Sequence, residues 1–290
     1  MKLDIFSHCA IDTIHINDTN YVVPGGAGCY CSLIAKTLKF DVILHTKFGS
    51  DFPLVEYLSK ENILIENALS EKLTTKFTLK ILSSDRTLFL ENKCEDINYE
   101  GLDSDSVLIS PIFNEIPTDT FEKIKKDSNF SMLDPQGFLR RKDSENKIHL
   151  EKTDLDLSNI SVIKISPEEL KCFTNKHEDA GMEVLQKKGI ENVILTNKQN
   201  ISLLSDDKIY TINLPNLELF DTTGIGDIFS ATFCCTMIKE NDILWALSFA
   251  GGAAQAALES KQIGLEKIPL KGAIETNAYY FYNTIKFKQI

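Results

Sequence analysis

Short apolar or β-branched runs alternate with longer helix-like stretches along most of the chain, and this alternation constrains the fold more than any other feature. "LDIFS", "VILHTKF", "SVLIS", "FSMLD", "SVIKIS" and "NVILTN" have the length and residue types of buried strands. Between and after them, 27–39, 52–62, 118–127, 167–174, 179–188, 226–240 and 242–260 read as helices. Within 27–39, Tyr30, Leu33, Ile34, Thr37 and Leu38 recur at helical spacing and make one apolar stripe. The pattern predicts an α/β fold with a mainly parallel central sheet flanked by helices. Two stretches depart from it. "TTKFTLKILSSDRTLFLEN" reads as a β-hairpin turning at "SSDR", and "CAIDTIHINDTNYVVP" is extended with alternating polarity. Together, about 11–23 and 74–92 predict a small β-sheet lid on a single domain spanning 1–290, since no repeat or linker interrupts the chain.

Formal net charge is −11, which argues against nucleic acid or an anionic membrane surface as a partner. An anionic ligand then has to be held locally, by amides, a few basic side chains or a metal ion. No run approaches the ~20 apolar residues of a membrane span, and "MKLDIFSHC" lacks a signal-peptide core. The seven cysteines are odd in number, scattered and without a C-x-x-C pair. That usage predicts a reduced, cytoplasmic protein without a structural zinc site.

The turn "DTTGIGDIF", 221–229, places Gly224, Gly226 and Asp227 where a long apolar helix begins. A dinucleotide fingerprint would need a small residue where Phe229 stands, and no Gly-Lys-Ser/Thr follows to make a Walker A loop. Two readings stand on the residues alone. Thr222, Thr223 and Asp227 could simply cap the helix. Alternatively, amides around Ile225 to Asp227 form an anion hole, with Asp227 as the base that takes a hydroxyl proton.

"DTTGIGDIF" resembles the C-terminal signature of the ribokinase-like (PfkB) carbohydrate kinases, D-T-T-G-A-G-D-x-F, with Ile225 in place of Ala. "PGGAGCYCSLIAKTLKFDVILHTKFGSDFP", 24–53, is similar to the N-terminal signature through Gly25, Gly26, Ala35, Leu38, Gly49 and Asp51. The resemblance runs to about residue 268 and implies a ribokinase-like fold and an ATP- and Mg2+-dependent kinase. It implies Asp227 as catalytic base, with Gly224, Ile225 and Gly226 as the anion hole. Asp12, Gly25, Gly26, Tyr30 and Arg86 would bind the acceptor. Thr196, Thr223, Gly224, Gly226 and Gly251 would meet the nucleotide, with Asp134 and Arg140 approaching the phosphates. Ser166 and Glu169 fall on the N-x-x-E element, so that Glu169 would organise magnesium through water. The lid implies either a homodimer, with Phe77, Leu79 and Ile81 covered by a partner, or closure of that face on the chain's own substrate.

Three departures qualify the match. Tyr30 stands where the family's G-G-x-x-x-N carries asparagine, "TNKQNI" lacks the glycines of T-x-G-x-x-G, and Gly251 replaces a frequent asparagine. The expected partners are therefore ATP and a small hydroxylated substrate, a sugar or a sugar-like polyol such as a cyclitol. A nucleoside kinase and a non-catalytic binding relative are the alternatives. The aromatic tail "ETNAYYFYNTIKFKQI" has no assignment.

Overall fold

Strand Lys2–Phe6 shows how the sequence builds the centre of the molecule: Leu3 and Ile5 face one apolar layer, and Phe6 faces the other. A strand buried on both sides belongs inside a parallel sheet with helices on each face. The computed structural model describes residues 1–290 other than 17–18, 83–84 and 216–220. Among these, ten strands form one sheet. Its order is Lys286–Gln289, Lys208–Asn213, Asn200–Ser205, Asn192–Asn197, Val162–Ile165, Phe130–Leu133, Ser106–Ile109, Lys2–Phe6, Asp41–His45 and Ile63–Leu64. From Asn192–Asn197 to Ile63–Leu64 all neighbours are parallel, whereas the other three strands add antiparallel. The fold is α/β with a mainly parallel central sheet, as expected. The antiparallel arm was not anticipated, because its strands are short and carry polar residues on alternate positions.

The expected helices form, with shifted ends. The stretch 52–62 shortens to Val55–Lys60, ending where Asn62 takes φ 54°. Helix Ile243–Glu259 starts one residue late because Asp242 caps it, accepting from the Leu244 and Trp245 N–H groups. The aromatic tail forms helix Lys271–Thr284 and the edge strand Lys286–Gln289. Tyr279 and Tyr282 pack on Trp245 at 5.3 and 5.6 Å between ring centroids. The two helices approach so closely at Gly252 that an added Cβ would lie 2.6 Å from the Ile274 carbonyl oxygen. Close packing therefore accounts for the small-residue run. No helix among the described residues is long and apolar enough to cross a membrane.

A separate four-stranded sheet joins the two extended regions, in the order Thr19–Gly25, Ala10–Ile16, Thr75–Leu82, Asp85–Asn92. The hairpin's expected turn includes residues 83–84, which lie outside the described residues. Arg86 falls within the last strand, opposite Ile81. Asp51 anchors the sheet: it accepts from the Thr74 N–H and hydroxyl at 2.9 and 2.7 Å and pairs with Lys76 at 2.8 Å. Phe77 and Leu79 are buried within this chain and line a cleft between the small sheet and the main one.

Candidate active site

The cleft has a volume of about 420 Å³, within the range of about 300–1,000 Å³ typical of small-molecule sites. It lies off the carboxyl ends of the parallel strands, where ligands bind in open α/β sheets. Residues from near both ends of the chain meet in it: Asp12, Gly26 and Tyr30 from one, and Thr222 to Asp227, Ile225 excepted, from the other.

Helix Ile225–Glu240 starts at the cleft. Its N-cap is Gly224, at φ 77°, and no side chain caps it. The first-turn amides thus lack a side-chain partner and present the positive end of the helix dipole to the cleft. The capping reading of Thr222, Thr223 and Asp227 fails on this geometry. Both threonine hydroxyls instead accept from Arg86, Thr222 from Nη1 and Thr223 from Nη2 at 3.2 Å. A residue of the small sheet thereby closes directly onto the glycine turn.

At the opposite wall, Gly26 takes φ 77° and packs against the His8 carbonyl and the Ala10 N–H. Only glycine fits there without strain. The Cα of Gly25 faces the Asp12 carboxylate, and an added methyl would collide with it. Asp12 is buried, and burial with the nearby Asp227 charge pushes its carboxyl up to about 7. The Tyr30 hydroxyl is buried without a hydrogen-bond partner, although the residue lines the cleft.

Asp227 is half-buried and accepts from Gln136 Nε2 at 3.3 Å. Burial and then Asp134 push its carboxyl up to about 6, against the pull of Lys164 and Arg140. Lys164 was missed in the sequence reading. It belongs to the buried strand Val162–Ile165 and pairs with Asp134 at 2.5 Å. Burial opposes its charge, but Asp134, Glu169 and Asp227 hold its ammonium up to about 12. A Cβ on Gly226 would sit 3.0 Å from Lys164 Nζ, so this cation lies against the glycine turn and also lines the cleft. The sequence signal was a lysine inside the otherwise apolar "SVIKIS". Gln136 carried no comparable signal.

Arg140 lines the cleft, whereas the other expected residues fall outside its lining. Glu169 closes a capping box with Ser166, whose N–H donates to Glu169 Oε2 at 2.8 Å. Burial and then Asp134 raise its carboxyl above the ordinary range. Thr196 is half-buried at the end of its strand, its hydroxyl donating to the Ile165 carbonyl at 3.4 Å. Gly251 is buried against Ile212 and Phe281, with no room for a side chain, so it does not face the cleft.

Solved structures share this architecture. A pyrophosphate-dependent kinase of the ribokinase family, complexed with a pyrophosphate analog and myo-inositol, matches at TM-score 0.82 and 17% identity, over 94% of this chain and 99% of that one. A ribokinase from Arabidopsis thaliana, complexed with ribose and ATP, matches at 0.75 and 16%, over 96% and 98%. A nucleoside kinase from Methanocaldococcus jannaschii matches at 0.76 and 16%, over 97% and 99%. No curated protein matches at the sequence level. The sequence profile of the pfkB family carbohydrate kinases matches residues 4–269. The chain belongs to that family. As a pfkB family carbohydrate kinase, it is a phosphotransferase that acts on an alcohol group.

Proposed function

We propose that this kinase transfers the γ-phosphoryl group of ATP to a hydroxyl of a small polyol, a cyclitol of the inositol type, with Asp227 as general base. One observation carries the reading: Asp227 shares a cleft with the uncapped amides of its own helix and has its carboxyl raised to about 6. A base of that strength accepts a proton efficiently near neutrality. In the reaction, the acceptor oxygen bonds to the γ-phosphorus as the bond from that phosphorus to ADP breaks. The hydroxyl proton passes to Asp227. Amides of Gly224, Ile225, Gly226 and Asp227 stabilise the charge on the moving group, and Lys164 adds a cation against the turn. Thr223 and Arg140 stand on the donor side of the same space.

Asp12, Gly25, Gly26 and Tyr30 hold the acceptor's other hydroxyls. The phenol in place of an amide favours a ring with hydroxyls all round over ribose. Arg86 closes the small sheet on the turn, while Ile14, Phe77, Leu79 and Leu88 keep water from the phosphoryl group. No three acidic or ligating side chains converge among the described residues to cage a metal ion. Glu169, Asp134 and Asp227 surround the Lys164 ammonium, which already pairs with Asp134, so magnesium would be held chiefly by the donor phosphates and water. Glu169 would orient those waters, and the ion would supply neutralisation of the donor phosphates.

A second donor, inorganic pyrophosphate, is favoured by the nucleotide side. Strands Asn192–Asn197 and Asn200–Ser205 join directly through Lys198 and Gln199 with no glycine turn, and Ile212 and Phe281 cover Gly251. A structurally similar kinase is pyrophosphate-dependent. The test is turnover with magnesium and either ATP or pyrophosphate across inositols, pentoses, hexoses and nucleosides, with Asp227→Asn in parallel. Turnover on an inositol that the variant loses supports the reading. Preference for a pentose or a nucleoside overturns the acceptor, and an active variant overturns the base.

A further inference from the structure

Among the described residues, the most deeply buried lysine outside the cleft lining is Lys267, at the end of the short 3-10 helix Gly264–Lys267. Its side chain is fully buried. All its donors are used on one short segment: the Asp221 carboxylate at 2.5 Å, the Asp221 carbonyl at 3.0 Å and the Thr223 carbonyl at 2.9 Å. Asp221 in turn accepts from the Thr223 N–H at 2.8 Å and the Gly264 N–H at 3.3 Å. A closed bracket therefore grips the backbone immediately ahead of Gly224.

Two physical arguments give this bracket a role beyond stability. A buried ion pair contributes little net stabilisation over apolar packing, which leaves fixing one conformation as a role for this one. Moreover, a trans peptide points its carbonyl and its N–H in opposite directions. Anchoring the Thr223 carbonyl on Lys267 turns the Gly224 N–H away from Lys267, and Gly224 lines the cleft where Lys267 does not. The glycine at φ 77° has no Cβ to fix its own orientation, so its neighbours must.

We propose that Lys267 is a positioning residue for phosphoryl transfer, its ammonium fastening the backbone of 221–223 so that the amides of the following turn face the moving phosphoryl group. The inference rests on the reading of 224–227 as the anion hole. Lys267 touches no substrate. Burial works against both charges, yet Lys267 and the Thr223 contacts hold the Asp221 carboxyl below the ordinary range, while burial lowers the Lys267 ammonium against the pull of Asp221.

The test uses the full chain with the acceptor and donor found active, and compares Lys267→Met, Lys267→Ala and Asp227→Asn. Misplacing a catalytic group by about 1 Å costs ~100-fold in rate. Lys267→Met is expected to bind acceptor within twofold of the parent while kcat falls ~100-fold. Ammonium ions added to Lys267→Ala are expected to restore much of that loss. Because a lone Asp221 charge could unfold the single variants, the neutral pair Asp221→Asn with Lys267→Gln is included, and it too should lose kcat while melting as the parent does. A kcat within threefold of the parent in the folded variants overturns the proposal. So does a loss matched by the unfolded fraction and untouched by ammonium. If Asp227→Asn retains full turnover, the reading of this turn as the catalytic site fails, whatever Lys267 does.

Discussion

The ring of Tyr30 lies against the Cα of Gly224 so closely that a single added methyl would collide with three ring carbons. The two residues are nearly two hundred positions apart, and both line the cleft. Gly224→Ala combines that collision with a left-handed backbone at φ 77°. The expected cost is about 1–3 kcal/mol of stability and a fall in kcat larger than that loss of folded enzyme explains. Thermal unfolding and steady-state kinetics on one preparation would separate the two.

Tyr30→Phe tests the orphaned phenol. Removing a buried hydroxyl that has no partner should leave stability unchanged or slightly higher. If the hydroxyl meets the acceptor, the acceptor KM rises by roughly 3- to 10-fold, the worth of one hydrogen bond. An unchanged KM would remove Tyr30 from the acceptor site.

The pH profile follows from two raised carboxyls. Asp227 and Asp12 are held at about 6 and about 7, so both lose their charge as pH falls through that window. A protonated Asp227 cannot accept the hydroxyl proton, and a protonated Asp12 is a poorer partner for acceptor hydroxyls. kcat/KM should therefore be level above the window and fall below it, the two groups titrating as a coupled pair. In Asp12→Asn the limb should move towards the lower value. A profile flat from pH 5 to 8, roughly spanning the window, would exclude Asp227 as base.

Arg86→Ala removes both hydrogen bonds from the small sheet to the turn. The residue is exposed, so stability should change by less than about 0.5 kcal/mol. Acceptor KM should rise and kcat should fall, each by roughly tenfold, because closure of a lid affects both. Arg86→Lys should not restore activity, since an ammonium cannot span Thr222 and Thr223 as the guanidinium fork does.

Much of this architecture was legible because its signals are local. Alternating strand and helix periods gave the parallel sheet, and two runs with period-2 polarity gave the small sheet. "DTTGIGDIF" marked the turn that the fold brings to the cleft. What escaped depends on contacts distant in sequence. Lys267 looks like any surface lysine in "LEKIP", and only the fold brings it to Asp221. Lys164 gave a fainter sign, a cation among strand apolars. Gly251 was read as open to a nucleotide, and the side chains that cover it, Ile212 and Phe281, come from elements the sequence reading did not define.

The cleft takes Asp12, Gly26 and Tyr30 from near the start of the chain and Thr222 to Asp227 from its last quarter. Helix Gly26–Thr37 touches helix Ile225–Glu240 where the Cys31 thiol lies 3.5 Å from the Asp227 carbonyl oxygen. No fragment that ends before the last quarter of the chain holds both walls. Phosphoryl transfer thus becomes a gauge of long-range order: a chain that has lost the docking of its two halves forfeits turnover even while each half keeps its helices.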